Sequence, residues 1–168
     1  MSRTTSTAFR SAVYSPQTSE VFVLLLTLNH SDLATPIRVS TDNADTFTVD
    51  GTTVRGTISN GNNFVFLPME ITLPDDSEES VTQAKIVIDN IDRDILASIR
   101  GLDSSPTISI QVVLASSPNT YEAQFNDFVL RDVTADALTI QGTLSLDNFL
   151  NEPFPGGTMF PSNFPGLF

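Results

Sequence analysis

Apolar and polar positions along this chain fall mostly into the two-residue period of β-strands. From Glu20 to Leu28 both alternate sets are apolar, with Val21, Val23 and Leu25 on one side and Phe22, Leu24, Leu26 and Leu28 on the other. Such a strand is covered on both faces, by a second layer or by a partner subunit. Residues 37–73 read as a meander. Ile37 to Thr41 is a short strand, and Phe47 and Val49 alternate with threonines as far as Asp50-Gly51. Thr52 to Ser59 returns and ends at Asn60-Gly61; both dipeptides carry two-residue hairpin chemistry. Phe64 to Leu73 follows, with Val65, Leu67, Met69, Ile71 and Leu73 on one face, and Pro68 inside it marks an edge strand or a bulge. Further strands are predicted over Ala84–Asp89, Thr107–Leu114, Thr120–Arg131 and Leu138–Leu146. In the second of these Ile108, Ile110, Val112 and Leu114 point inward, and Ser109 and Gln111 outward.

Two segments change period. Ile91, Ile95, Ile99 and Leu102 fall at i, i+4, i+8 and i+11, which predicts a helix. Asp89 or Asn90 caps it, Asp92 and Asp94 sit in its first turn, and Arg100-Gly101 ends it. Residues 4–14 place Ala8, Phe9, Ala12 and Val13 on one helical side, although serines and threonines crowd the segment and Pro16 stops it. The expected fold is all-β: a β-sandwich or barrel-like domain of seven or eight strands over residues 1–150, with one flanking α-helix around 91–102. Residues 151–168 form an irregular Phe/Pro-rich C-terminal extension without strand or helix period. That extension holds four of the chain's 12 phenylalanines, Phe154, Phe160, Phe164 and Phe168, which reads as a set of anchors for pockets on the same subunit or a neighbour. With Phe22, Leu24 and Leu26 of the two-sided strand they make up the candidate interface.

Composition narrows the function classes. At 168 residues and 40% hydrophobic the chain can bury a core. Its longest apolar run, Val21 to Leu26, is too short to cross a bilayer, and its first ten residues lack the apolar segment of a secretory signal. The net charge of −12, with Lys85 the one lysine, argues against nucleic-acid binding and anionic membrane surfaces. There is no cysteine.

Candidate chemistry is sparse. His30 is the one histidine, so a typical zinc site cannot form, and no nucleophile elbow accompanies it for a Ser–His–Asp triad. The acidic run Asp75, Asp76, Glu78, Glu79 lacks the spacing of a calcium loop, and Glu70 with Glu122 is a carboxylate pair of unknown separation. No phosphate-binding glycine motif is present. No catalytic residue, metal or cofactor is expected.

Several segments taken in order carry a resemblance. Ser2-Arg-Thr-Thr-Ser-Thr-Ala-Phe-Arg-Ser-Ala-Val-Tyr14 leads into Glu20-Val-Phe-Val-Leu-Leu-Leu-Thr-Leu-Asn-His30. Phe66-Leu-Pro-Met-Glu-Ile-Thr-Leu-Pro-Asp-Asp76 and Ile86-Val-Ile-Asp-Asn-Ile-Asp-Arg93 occupy the middle. Asn148-Phe-Leu-Asn-Glu-Pro-Phe-Pro155 and Phe164-Pro-Gly-Leu-Phe168 close the chain. Together they resemble an uncharacterised family of bacteriophage and prophage tail proteins from siphophage-like tail modules. The resemblance implies a structural virion protein at the tail tip, of the distal tail or hub-proximal type. It would act through a ring of six or three copies, beside tail tube, tape measure and hub proteins. It would be located in the virion tail, and in the host cytoplasm during assembly. It implies no enzyme activity, no direct nucleic-acid binding and no membrane insertion. The alternatives are a tail assembly factor absent from the mature particle, and a β-sandwich sugar- or calcium-binding module. The absence of tryptophan, with only Tyr14 and Tyr121 as tyrosines, counts against sugar stacking.

Overall fold

The computed structural model of the chain describes residues 5–49, 51–72, 83–89, 101–136 and 139–146. These residues form one short helix, α1 (Thr7–Tyr14), and ten strands. The strands are β1 (Phe22–Asn29), β2 (Ile37–Ser40), β3 (Asp45–Val49), β4 (Thr52–Ser59), β5 (Asn62–Phe66), β6 (Met69–Thr72), β7 (Gln83–Asp89), β8 (Thr107–Leu114), β9 (Ala123–Ala135) and β10 (Thr139–Leu146). All ten lie in one sheet, ordered β3-β4-β5-β2-β1-β8-β9-β10-β7-β6. The fold is all-β with a short helix. The helix expected around 91–102 falls on residues 91–100, outside the described residues, as does the extension 151–168.

The two-sided strand is central. β1 pairs antiparallel with β2, Leu25 opposite Ser40, and with β8, Phe22 opposite Leu114 and Asn29 opposite Thr107. On one face Leu26 and Leu28 join Val39, Ile86, Ile108, Ile110, Phe128 and Leu130 in the main core. On the other, Val23 and Leu25 pack with Val113, Phe64 and Tyr121. Phe64 reaches that face because the β4–β5 hairpin folds back across it. Ser59 Oγ donates to the Pro118 carbonyl at 2.6 Å and the Asn60 N–H to Asn119 Oδ1 at 2.7 Å. The Ser40 and Thr57 hydroxyls meet at 2.8 Å beneath the hairpin. This second layer also overturns one expectation: Gln111 does not face solvent but is buried, with its Oε1 unpaired, because the outward face of β8 lies under the same layer.

The sheet closes on itself through residues 62–72. β5 pairs in parallel with β2 (Val65 opposite Val39), and β6 pairs with β7 (Met69 opposite Ile88). Between them the Leu67 N–H donates to the Ser40 carbonyl, and the Pro68 carbonyl accepts from the Asp89 N–H, both at 3.0 Å. The single strand predicted over Phe64–Leu73 is therefore two strands. Pro68, which has no N–H to offer a ladder, sits where the segment leaves one partner for the other. With both flanks of the sheet fastened to one segment, the circuit β2-β1-β8-β9-β10-β7 is a closed barrel, and the β3–β4 hairpin stands outside it.

β9 bends to follow this curvature at two bulges, one opposite the step from Ile108 to Ile110 and one opposite the step from Gln141 to Thr143. Asp127 (φ +64°) and Asp132 (φ +52°) take up the left-handed backbone there, a conformation aspartate tolerates better than most residues. At Asn60-Gly61 both φ angles are positive, +47° and +76°, as the hairpin signal predicts.

Gly56 on β4 is dictated by close approach: a Cβ there would lie 1.8 Å from the Phe64 carbonyl oxygen. Gly56→Ala should cost about 1–3 kcal/mol or more as overpacking against backbone. A thermal melt should show a fall of roughly 2–12 °C for a domain of this size. Gly61→Ala, where open space surrounds the Cβ, carries only the left-handed penalty of about 1–2 kcal/mol. Equal, small shifts at both positions would contradict the hairpin packing.

Candidate functional site

The helix α1 lies against the start of β1, and a buried carboxylate fixes it there. Ser6 caps the helix, its Oγ accepting from the Phe9 N–H at 3.1 Å. The same residue donates twice to Glu122: its N–H to Oε2 and its hydroxyl to Oε1, both at 2.6 Å. Glu122 is 1% exposed, precedes β9, and is held in the ladder by its own N–H to the Val112 carbonyl. Hydrogen bonds to an ionised carboxylate are short and strong, and a negative group also suits a helix N-terminus. Both oxygens of Glu122 are thus engaged in anchoring α1, while Glu70, its imagined glycosidase partner, is exposed on β6.

Helix spacing then determines what α1 buries and displays. Ala12 is buried, and Phe9 meets Phe22 edge-to-face, ring centres 5.3 Å apart at 77°. Beyond this contact four large apolar side chains are exposed among polar ones such as Arg10, Ser11, Ser15 and Gln17. Tyr14 is 85% exposed, Val21 55%, Val13 52% and Phe22 40%. Of the interface residues expected from sequence, Phe22 belongs to this surface and Leu24 is half-buried beside it. Leu26 lies in the subunit's own main core, covered by neighbouring strands. Phe154, Phe160, Phe164 and Phe168 lie outside the described residues. Val13, Tyr14 and Val21 were not singled out beforehand, although Val13 stands on the helical side that already carried Phe9.

The fold also brings a serine to His30. In the turn after β1 the His30 Nε2 lies 2.6 Å from Ser104 Oγ, and its Nδ1 is 3.4 Å from an Asp32 carboxylate oxygen. The three residue types match a nucleophile–base–orienter set, but the protons run the other way. The Asp32 backbone N–H donates to Nδ1 at 3.1 Å. An N–H can only donate, and it is the closer group, so Nδ1 accepts here and Nε2 is the nitrogen placed to donate to Ser104. A serine-activating base needs the opposite tautomer. The trio reads as a staple between the β1–β2 turn and the segment leading into β8.

Among the described residues no group of three or more His, Asp or Glu could hold a metal ion. No helix there is long and apolar enough to cross a membrane. The run Asp75–Glu79 lies outside the described residues. A cavity of about 30 Å³ opens in the barrel core among Leu26, Ile86, Ile108, Leu130 and Ile140, with Val133 and Gln141 also lining it.

The sequence model of a family described as Domain of unknown function (DUF1833) matches residues 8–159 of the chain. No curated protein matches it.

Two outcomes are expected. Glu122→Ala leaves Ser6 without its acceptors and should cost about 1–3 kcal/mol, with faster proteolytic cleavage between residues 15 and 20; unchanged cleavage and melting would mean α1 is held by other contacts. A fluorophosphonate probe should leave Ser104 unmodified, and labelling that disappears in Ser104→Ala would contradict the tautomer assigned to His30.

Proposed function

We propose that this chain, which belongs to DUF1833, a phage-associated family of unknown function, is a structural subunit of a phage tail, placed at the tail tip. It works by assembly and not by catalysis. The observation that carries this reading is the α1 end, where Val13, Tyr14, Val21 and Phe22 are exposed and a buried carboxylate holds the helix. Large exposed apolar patches mark interaction sites. The Asp32 N–H on Nδ1 of His30 and the engagement of both Glu122 oxygens by Ser6 favour structural roles for these side chains. The strong negative charge fits a protein that contacts other proteins and not nucleic acid or anionic lipid. Six or three copies form a ring beside tail tube, tape measure and hub proteins, and the Phe/Pro-rich extension 151–168 acts as a docking arm.

Mass spectrometry of purified virions and immunogold labelling test the placement: peptides from this chain should be present, with gold at the tail tip. Presence only in infected-cell lysate, with defective tails when the gene is deleted, would indicate an assembly factor. A single copy per tail would rule out the ring. Deleting 151–168 should impair tail assembly or lower the melting temperature, and a truncated chain that matches the full one in both respects would dispose of the arm.

A further inference from the structure

We infer that Asn60 is a site of spontaneous deamidation, and that its conversion unlocks the β4–β5 hairpin from the face of β1 that it covers. Asn60-Gly61 is the one Asn-Gly pair in the chain. Both residues are exposed at the hairpin tip. Apart from its chain neighbours, nothing lies within 4 Å of where a Cβ on Gly61 would stand. No side chain therefore shields the Gly61 nitrogen, and water reaches the Asn60 amide.

The chemistry needs only these two residues and water. The Gly61 backbone nitrogen gives up its proton and attacks Cγ of the Asn60 side chain. The bond from nitrogen to Cγ forms, the bond from Cγ to Nδ2 breaks, and the amide nitrogen leaves as ammonia with the proton. A five-membered succinimide ring remains. Water opens that ring at either carbonyl. One opening yields aspartate; the other yields isoaspartate, whose main chain is lengthened by the side-chain methylene. Both products replace a neutral amide with a carboxylate, a covalent change that alters the local electrostatics.

The fold controls both the rate and the consequence. The Asn60 N–H donates to Asn119 Oδ1 at 2.7 Å, and Asn60 Nδ2 donates to the Asn119 carbonyl at 3.3 Å. These bonds hold the amide that must leave and the left-handed backbone (φ +47°) that must rotate for the ring to close. Conversion therefore proceeds from the opened tip, a local fluctuation and not global unfolding. It then removes what closed the tip. A carbonyl can only accept, and a carboxylate at position 60 has no hydrogen to give to that of Asn119, so two acceptors face each other. Isoaspartate also lengthens a two-residue loop whose geometry fixes Ser59 opposite Asn62. Ser59, 0% exposed, donates to the Pro118 carbonyl beside this loop. The same hairpin carries Phe64 over Val23, Leu25 and Val113. Loss of the tip contacts thus loosens the second layer over β1.

The full chain, incubated at mildly alkaline pH to promote loss of the Gly61 proton, is sampled by peptide mass mapping and isoaspartyl methyltransferase labelling. Aspartate and isoaspartate should accumulate at position 60 ahead of every other asparagine. Asn119→Ala, at an exposed position, should speed that conversion at least ~3-fold, the population shift expected of a lost hydrogen bond. The aged protein should melt below the fresh one and be cleaved faster within the β4–β5 hairpin. Asn60→Gln, whose longer side chain disfavours the five-membered ring, should keep its melting temperature through the same incubation. No conversion at position 60 in the folded chain under conditions that convert it in urea would overturn the inference. So would Asn119→Ala converting at an unchanged rate, or converted protein that melts and resists protease like the fresh chain.

Discussion

The structure depends on covering one strand twice. β1 carries apolar side chains on both faces, and a sheet that left either face bare would expose Val23 and Leu25 or Leu26 and Leu28. The chain meets this by curling its sheet in two senses. The strands from β8 to β7 wrap one face, and the β4–β5 hairpin folds over the other, fastened by Ser59 and Asn60 to the loop after β8. Burial of each face contributes on the order of 25 cal/mol per Å² of apolar surface. Neither layer alone would hide the strand. The closing segment at Leu67-Pro68 follows from the same demand, since curling brings β2 and β7 to a common neighbour.

Much of this was legible where the information is local. Thr52–Ser59 and Thr107–Leu114 occupy their predicted bounds, because alternation and flanking turn residues define a strand without knowledge of its partners. The break at Pro68 was not legible as a division. The two-residue period runs unbroken from Val65 through Leu67 to Ile71, and what changes there is the partner strand, which local pattern does not encode. The strand predicted over Thr120–Arg131 lies toward the N-terminus of β9, Ala123–Ala135, for a related reason. Its bulges at Asp127 and Asp132 shift the alternation, so the pattern loses phase while the ladder continues to Ala135. Gln111 was placed outward because a polar residue in an alternating strand ordinarily faces water; the layer that covers it is contributed by residues more than forty positions earlier in the chain.

The candidate site divides along the same line. Phe22 could be named from the sequence because it begins a strand too apolar for one covered face. The anchor that gives the surface its rigidity could not. Ser6 and Glu122 are 116 positions apart, and nothing in either neighbourhood announces the other. Glu122 attracted notice only as half of a carboxylate pair, yet its function in the fold is to hold a helix cap. His30 and Ser104 are likewise brought together by the closing of β8 against β1, and only the direction of the Asp32 N–H shows which way their proton lies.

The pairing of β1 with β8 has a consequence for synthesis. Phe22 and Thr107 bound the two strands 85 positions apart, so β1 leaves the ribosome with both faces bare. At about 5–20 residues per second it waits roughly 4–17 s before β8 exists to pair with it, and longer before the barrel can close. Non-local pairing of this kind folds slowly. During that interval the nascent chain presents a strand with apolar side chains on both faces. Rapid translation through β8 shortens that exposure, and a chaperone that holds the nascent chain shields it.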